Sequence, residues 1–122
     1  MKISQSTSSV LPLRYIARLA RGLLESAYEE CLCHELNLRG IQFRRQVPLP
    51  VTYKGVNLDC GYRIDLIVND LIILEFKCVE HVLPVHEAQL LSYMKMANKR
   101  VGLLLNFHVA ALVRGGIVRK VI

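Results

Sequence analysis

Between residues 13 and 39 apolar positions recur at the spacing of a helix. Ile16, Ala20, Leu23, Ala27 and Cys31 fall on one side, while Arg14, Arg18, Arg21, Glu25 and Glu29 fall on the other. Leu32 and Leu36 return to the charged side in the second half, so that side is expected to turn inward just beyond Glu25. Gly22 interrupts the pattern, and Gly40 is a natural C-terminal stop.

The periodicity then changes from three-to-four to two. Residues 46–53 alternate, with Val47, Leu49, Val51 and Tyr53 on one face. Pro48 and Pro50 remove ladder donors, which predicts an edge or irregular strand before a turn at Lys54 and Gly55. Residues 62–68 and 72–78 read as two strands of a hairpin. Residues 84–99 read as a helix with proline in its first turn, residues 100–106 as a central apolar strand, and residues 117–122 as a closing strand. Residues 1–12 are expected to be a flexible lead-in, and residues 13–122 a single domain. The element order αβββαββ predicts an α/β fold with a mixed central β-sheet flanked by helices.

The hairpin carries the candidate chemistry. Asp65 and Glu75 are symmetric about Asp70. A three-residue loop, Asn69 to Leu71, sets Asp65 opposite Glu75 and Arg63 opposite Lys77. Ile64, Leu66, Val68, Ile72, Leu74 and Phe76 then share the other face. A two-residue loop would mix the faces and press carboxylates into the core, so the odd loop is expected. Directly opposed side chains stand about 5 Å apart at Cβ. Two carboxylates at that separation repel unless a proton or cation lies between them. A hard ion such as magnesium suits the arrangement, and a lysine two residues past Glu75 points to the same side. The same charges would also suit an ordinary ion-paired face, with Glu75 against Lys77 or Arg63.

Composition narrows the partners. The net charge of +6 and pI near 9.4 favour polyanions such as nucleic acid. Cys31, Cys33, Cys60 and Cys78 show no C-x-x-C spacing, which suits free, reduced thiols in a cytoplasmic protein. The first ten residues are polar, with no apolar run of a signal peptide, and no later apolar stretch is long enough to span a bilayer.

Several segments together resemble a known group. "YRIDLIVNDLIILEFK", with Asp65 and the run Glu75-Phe76-Lys77, resembles the PD-(D/E)xK nuclease superfamily. "GLLESAYEE", holding Gly22, Glu25 and Tyr28, is similar to the signature of the GxxExxY proteins of that superfamily. "PVHEAQLLSYMK" and "RVGLLLNF" resemble later segments of the same family. Ile64 stands where the superfamily name has proline. The resemblance implies a restriction-endonuclease-like core and a deoxyribonuclease dependent on Mg²⁺ or Mn²⁺. It implies that Asp65, Glu75, Glu25 and the carbonyl of Phe76 bind the metal and that Lys77 is the catalytic lysine. Gln89 and Tyr93 match a Q-x-x-x-Y element that contacts DNA, and Arg63 and Arg21 are further candidates for the strand. Gln89 and Tyr93, four apart, also share a helix face. The small size leaves a second reading open, a non-cleaving module that binds nucleic acid or protein. It also suggests that a homodimer partner or another subunit completes recognition.

Overall fold

The computed structural model describes Ile16, residues 25–108 and residues 116–122. Among these residues the order is α1 (Glu25–Leu38), β1 (Phe43–Pro48), β2 (Val51–Tyr53), β3 (Val56–Leu58), β4 (Arg63–Val68), β5 (Ile72–Lys77), α2 (Pro84–Met96), β6 (Val101–Asn106) and β7 (Ile117–Val121). The expected start of the first helix, with Arg14, Arg18, Arg21 and Gly22, lies outside the described residues, as do the lead-in over residues 1–12 and residues 109–115.

Helix α1 turns Tyr28, Leu32, Cys33 and Leu36 inward, the side expected to become buried beyond Glu25. Ala27 and Cys31, expected on the apolar side, are only partly buried at its margin. The helix ends in a Schellman turn. Gly40 has φ of +66°, its N–H donates to Asn37 O at 3.1 Å, and Ile41 N–H donates to Leu36 O at 3.0 Å.

Five strands form one sheet in the order β1-β4-β5-β6-β7. The β5–β6 pair is parallel and the other neighbours are antiparallel, so α2 serves as the crossover that a parallel pair requires. Counting only this sheet and the two helices, the order is αβββαββ, as expected. Two details differ. The strand expected over 46–53 is split at Pro48–Leu49–Pro50, and its second half pairs with β3 in a separate two-stranded hairpin. Pro48 and Pro50 cannot donate to a ladder, which ends β1 there. The strand over Val101–Asn106 is interior, but the middle of the five is β5, because β7 adds outside β6.

Both faces of the sheet are covered. Leu66, Val68, Leu74, Phe76, Leu103, Leu105 and Phe107 pack with α1, and Ile67, Ile73 and Leu104 pack with Leu90, Tyr93 and Met94 of α2. Central strands buried on both sides account for the apolar runs of β5 and β6. Gly102 makes the second layer close. A Cβ there would lie 2.6 Å from Met94 Sδ and 2.9 Å from Leu90 Cδ1.

Candidate active site

The turn between β4 and β5 sets the parity of everything on the hairpin. Asn69 and Asp70 both have positive φ, 53° and 56°, and Leu71 N–H donates to Val68 O at 3.0 Å. Leu71 is the odd residue, and the pairs Val68–Ile72, Ile67–Ile73 and Leu66–Leu74 follow the register symmetric about Asp70.

Pairing stops where the charged residues begin. Beyond Leu66–Leu74 the carboxylates take the place of carbonyls. Asp65 N–H donates to Glu75 Oε2 at 2.7 Å, and Phe76 N–H donates to Asp65 Oδ2 at 2.9 Å. The two acids are thus locked to each other's backbone at the open end of the hairpin. On the other side of β4, the pairs Arg45–Leu66 and Val47–Ile64 flank Gln46 and Asp65, and Gln46 has φ of +49°. This interruption corrects one expectation. Ile64 is fully buried but joins the α2-side cluster with Leu49, Ile67 and Ile73, not the face of Leu66 and Val68. Arg63 does not reach a position opposite Lys77 in the paired ladder. It is paired with Pro48, and its Nη1 donates to Tyr62 O at 2.9 Å and lies 3.5 Å from Asp59.

Electrostatics follow from burial. Glu75 is 6% exposed, and its carboxyl is pushed up to about 8, first by desolvation and then by the neighbouring Asp65 charge. Half-buried Asp65 is also raised, first by desolvation, against the Phe76 N–H bond that favours its anion. Lys77, half-buried on the same strand, lies close enough for its charge to favour both anions.

Helix α1 contributes Glu29, a residue the sequence patterns did not single out. Its side chain is buried, Arg45 grips its Oε2 through two nitrogens at 3.0 and 2.8 Å, and Gln46 Nε2 donates to its Oε1 at 2.8 Å. The same amide stands 3.4 Å from Asp65 Oδ1, so Gln46 joins the helix carboxylate to the hairpin acid. Glu25, one turn earlier, is exposed, and no hydrogen bond or ion pair joins it to these acids among the described residues. Glu29 is recognisable beforehand only as the carboxylate that shares the inward side with Leu32 and Leu36.

Gln89 and Tyr93 are brought together on α2, with Gln89 Nε2 donating to Tyr93 Oη at 3.2 Å. Tyr93 is buried, and its hydroxyl is held above its ordinary range first by burial and then by the Glu75 charge. His86 has a structural task at the start of α2: its Nδ1 accepts from Leu83 N–H at 3.0 Å. Tyr28 is core, stacked on Phe107 with centroids 4.6 Å apart. Asn106, fully buried, fixes the exit from β5. Its Oδ1 accepts from Val79 N–H at 3.0 Å and His108 N–H at 3.2 Å, and its Nδ2 donates to Val79 O at 2.7 Å. Arg21 lies outside the described residues.

The donor set has the character a hard cation requires. Two carboxylates, one of them buried, stand next to each other on oxygen-only chemistry. No group of three His, Cys, Asp or Glu side chains converges on a common point among the described residues. The fit is therefore to an ion held by two carboxylates, with carbonyl, water or phosphate oxygens completing its shell.

Comparison with curated proteins and with solved structures finds no match. The family profile of the PD-(D/E)XK nuclease superfamily matches residues 11–120, a span that holds the two described helices, the carboxylate hairpin and the five strands of the main sheet except the last residue of β7. With the sheet order, the paired acids and the lysine two residues on, this match shows that the chain belongs to the PD-(D/E)XK nuclease superfamily.

Proposed function

We propose that this protein is a metal-dependent nuclease that hydrolyses phosphodiester bonds of DNA, and that it belongs to the GxxExxY branch signalled by Gly22, Glu25 and Tyr28. The observation that carries this reading is the pair of mutually locked acids, Asp65 and Glu75, with Lys77 beside them. A buried carboxylate next to a second one is costly unless a cation or proton offsets the charge.

Asp65, Glu75 and the Phe76 carbonyl would hold Mg²⁺ or Mn²⁺. Such an ion, when bound, would polarise a phosphoryl oxygen and acidify a bound water. The ammonium of Lys77 stabilises negative charge as it develops on the phosphate oxygens and orients the attacking water. Hydrolysis joins the water oxygen to phosphorus and breaks the bond to the leaving sugar oxygen, which takes up a proton. Gln46 holds Asp65 in place from the side of Glu29, and Arg45 neutralises Glu29 so that the acids of α1 and the hairpin coexist. The Glu25 carboxylate, one helical turn before Glu29, is a further candidate for the metal's shell. Gln89 and Tyr93 contact the DNA strand, and Arg63 and Arg21 steady its backbone through phosphate contacts.

The test is a cleavage panel of linear, circular, single-stranded and branched DNA with Mg²⁺ or Mn²⁺, comparing the wild type with Glu75→Ala and Lys77→Ala. Metal-dependent cutting that disappears in both variants is expected. A wild type that binds the metal by calorimetry yet cuts nothing would transfer the assignment to a non-cleaving binding module.

A further inference from the structure

One aromatic ring near the acids remains in solvent and is not accounted for by packing. Tyr62 is 45% exposed, although it immediately precedes β4 and lies three residues from Asp65. Its backbone is pinned: Tyr62 O accepts from Leu49 N–H at 3.0 Å and from Arg63 Nη1 at 2.9 Å. The preceding turn is set by Gly61, with φ of +80°, whose N–H donates to Asp59 Oδ1 at 2.9 Å. One edge of the ring system is seated on Tyr93, with centroids 6.1 Å apart at 62°. Tyr93 in turn accepts from Gln89 and lies within range of the Glu75 charge. A ring fixed at its backbone, supported on one side and open on the other is a preorganised stacking surface.

The surroundings suit one occupant. The β2–β3 hairpin is inserted between β1 and β4, at the end of the sheet where Pro48 pairs with Arg63 and where the acids lie. That hairpin buries almost nothing, and Tyr53 and Lys54 at its turn are exposed, with Lys54 Nζ 5.6 Å from the Tyr53 ring centre. Tyr62 next to Arg63, and Tyr53 next to Lys54 on the hairpin, each set an aromatic face beside a cation, the combination that grips a single strand through its bases and its phosphates.

We infer that Tyr62 stacks on an unpaired base next to the phosphate presented to Asp65, Glu75 and Lys77, so that the substrate is single-stranded DNA or a DNA end with an unpaired nucleotide. This rests on the nuclease reading and specifies its substrate. Tyr62 is a positioning residue: it holds the strand by one base and leaves the reacting atoms to the hairpin.

Fluorescence anisotropy with a labelled single-stranded oligothymidylate and a blunt duplex of equal length, in EDTA and again in Ca²⁺, tests the inference on the full chain. Tyr62→Ala is expected to weaken single-strand binding roughly five- to hundredfold, the range for loss of one stacked base. It leaves duplex binding unchanged, while Tyr62→Phe retains the wild-type affinity for both. Tyr62→Trp, with a larger face, binds the single strand at least as tightly as wild type, which keeps the test sound if the alanine variant is poorly folded. Equal losses on both DNA forms, an unchanged single-strand affinity in Tyr62→Ala, or no wild-type binding to the single strand would each overturn the inference. Wild-type cleavage that proceeds with single-strand affinity indifferent to Tyr62 would remove the stacking role and leave the nuclease intact. Absent cleavage with Tyr62-dependent single-strand binding would remove the nuclease and leave the stacking role.

Discussion

Glu75 illustrates how a single side chain acquires function from its place. On an exposed strand it would be an ordinary acid near 4.5, yet buried and beside Asp65 its carboxyl rises to about 8. The consequence for stability has a definite sign. Between the unfolded value and 8 the native state holds the proton more tightly than the unfolded chain, so its stability is fully present at low pH and declines as pH rises through this window. In EDTA, denaturant unfolding between pH 5 and pH 8 is expected to show a loss on the order of a few kcal/mol for wild type relative to Glu75→Gln. Parallel curves for the two proteins would mean that Glu75 ionises as a solvated acid does. At Lys77 the expectation is different: Lys77→Ala changes unfolding by under about 1 kcal/mol, since no close ion pair to it exists among the described residues, while cleavage is abolished. Loss of activity together with a collapse in stability would make Lys77 a structural residue.

At the scale of elements, the site depends on two junctions remote from the acids. Helix α2 reaches the sheet only because β6 carries Gly102, and its Leu90, Tyr93 and Met94 are what cover Glu75's side of the sheet. Gly102→Ala is expected to push Met94 and Leu90 outward and to lower stability by about 1–3 kcal/mol, read from chemical denaturation. An unchanged midpoint would show that α2 has slack to spare. The exit from β5 is held by Asn106, whose amide makes three hydrogen bonds to the backbone of Val79 and His108 in a fully buried position. Asn106→Ala strands those groups and is expected to cost roughly 2–4 kcal/mol. Its effect on hydrogen exchange should be strongest at Val79, where the bonds are lost.

For the whole molecule, the charge balance and the two-sided sheet set the expectations. A basic chain at +6 that meets DNA through phosphates should lose affinity linearly in log units as log salt concentration rises. A DNA affinity indifferent to salt between 50 mM and 200 mM would be incompatible with phosphate-driven binding. Mg²⁺ is expected to raise the melting temperature of wild type and not of Glu75→Ala, since a ligand of the native state stabilises it in proportion to occupancy. An equal rise in both proteins would place the ion elsewhere.

The sequence by itself determined the helix and strand types, the αβββαββ order of the main sheet, and the parity of the hairpin. These follow from local pattern. Period-two alternation over β4 and β5 permits one register with apolar residues inward, and Gly40 and the prolines mark ends by backbone chemistry alone. The pair Asp65 and Glu75, with Lys77, was legible for the same reason, because symmetry about Asp70 survives folding. Only the tertiary structure decided what stands around them. Which helix carboxylate faces the hairpin depends on how α1 rotates onto the sheet, and that rotation buries Glu29 and leaves Glu25 in solvent. Gln46 owes its place to a positive φ that no alternation pattern records, and the same local break sends Ile64 to the α2 side. Patterns along a chain report each element's own faces. The meeting of side chains from α1, β1, β4 and β5 is a contact between residues up to dozens of positions apart, fixed by packing alone.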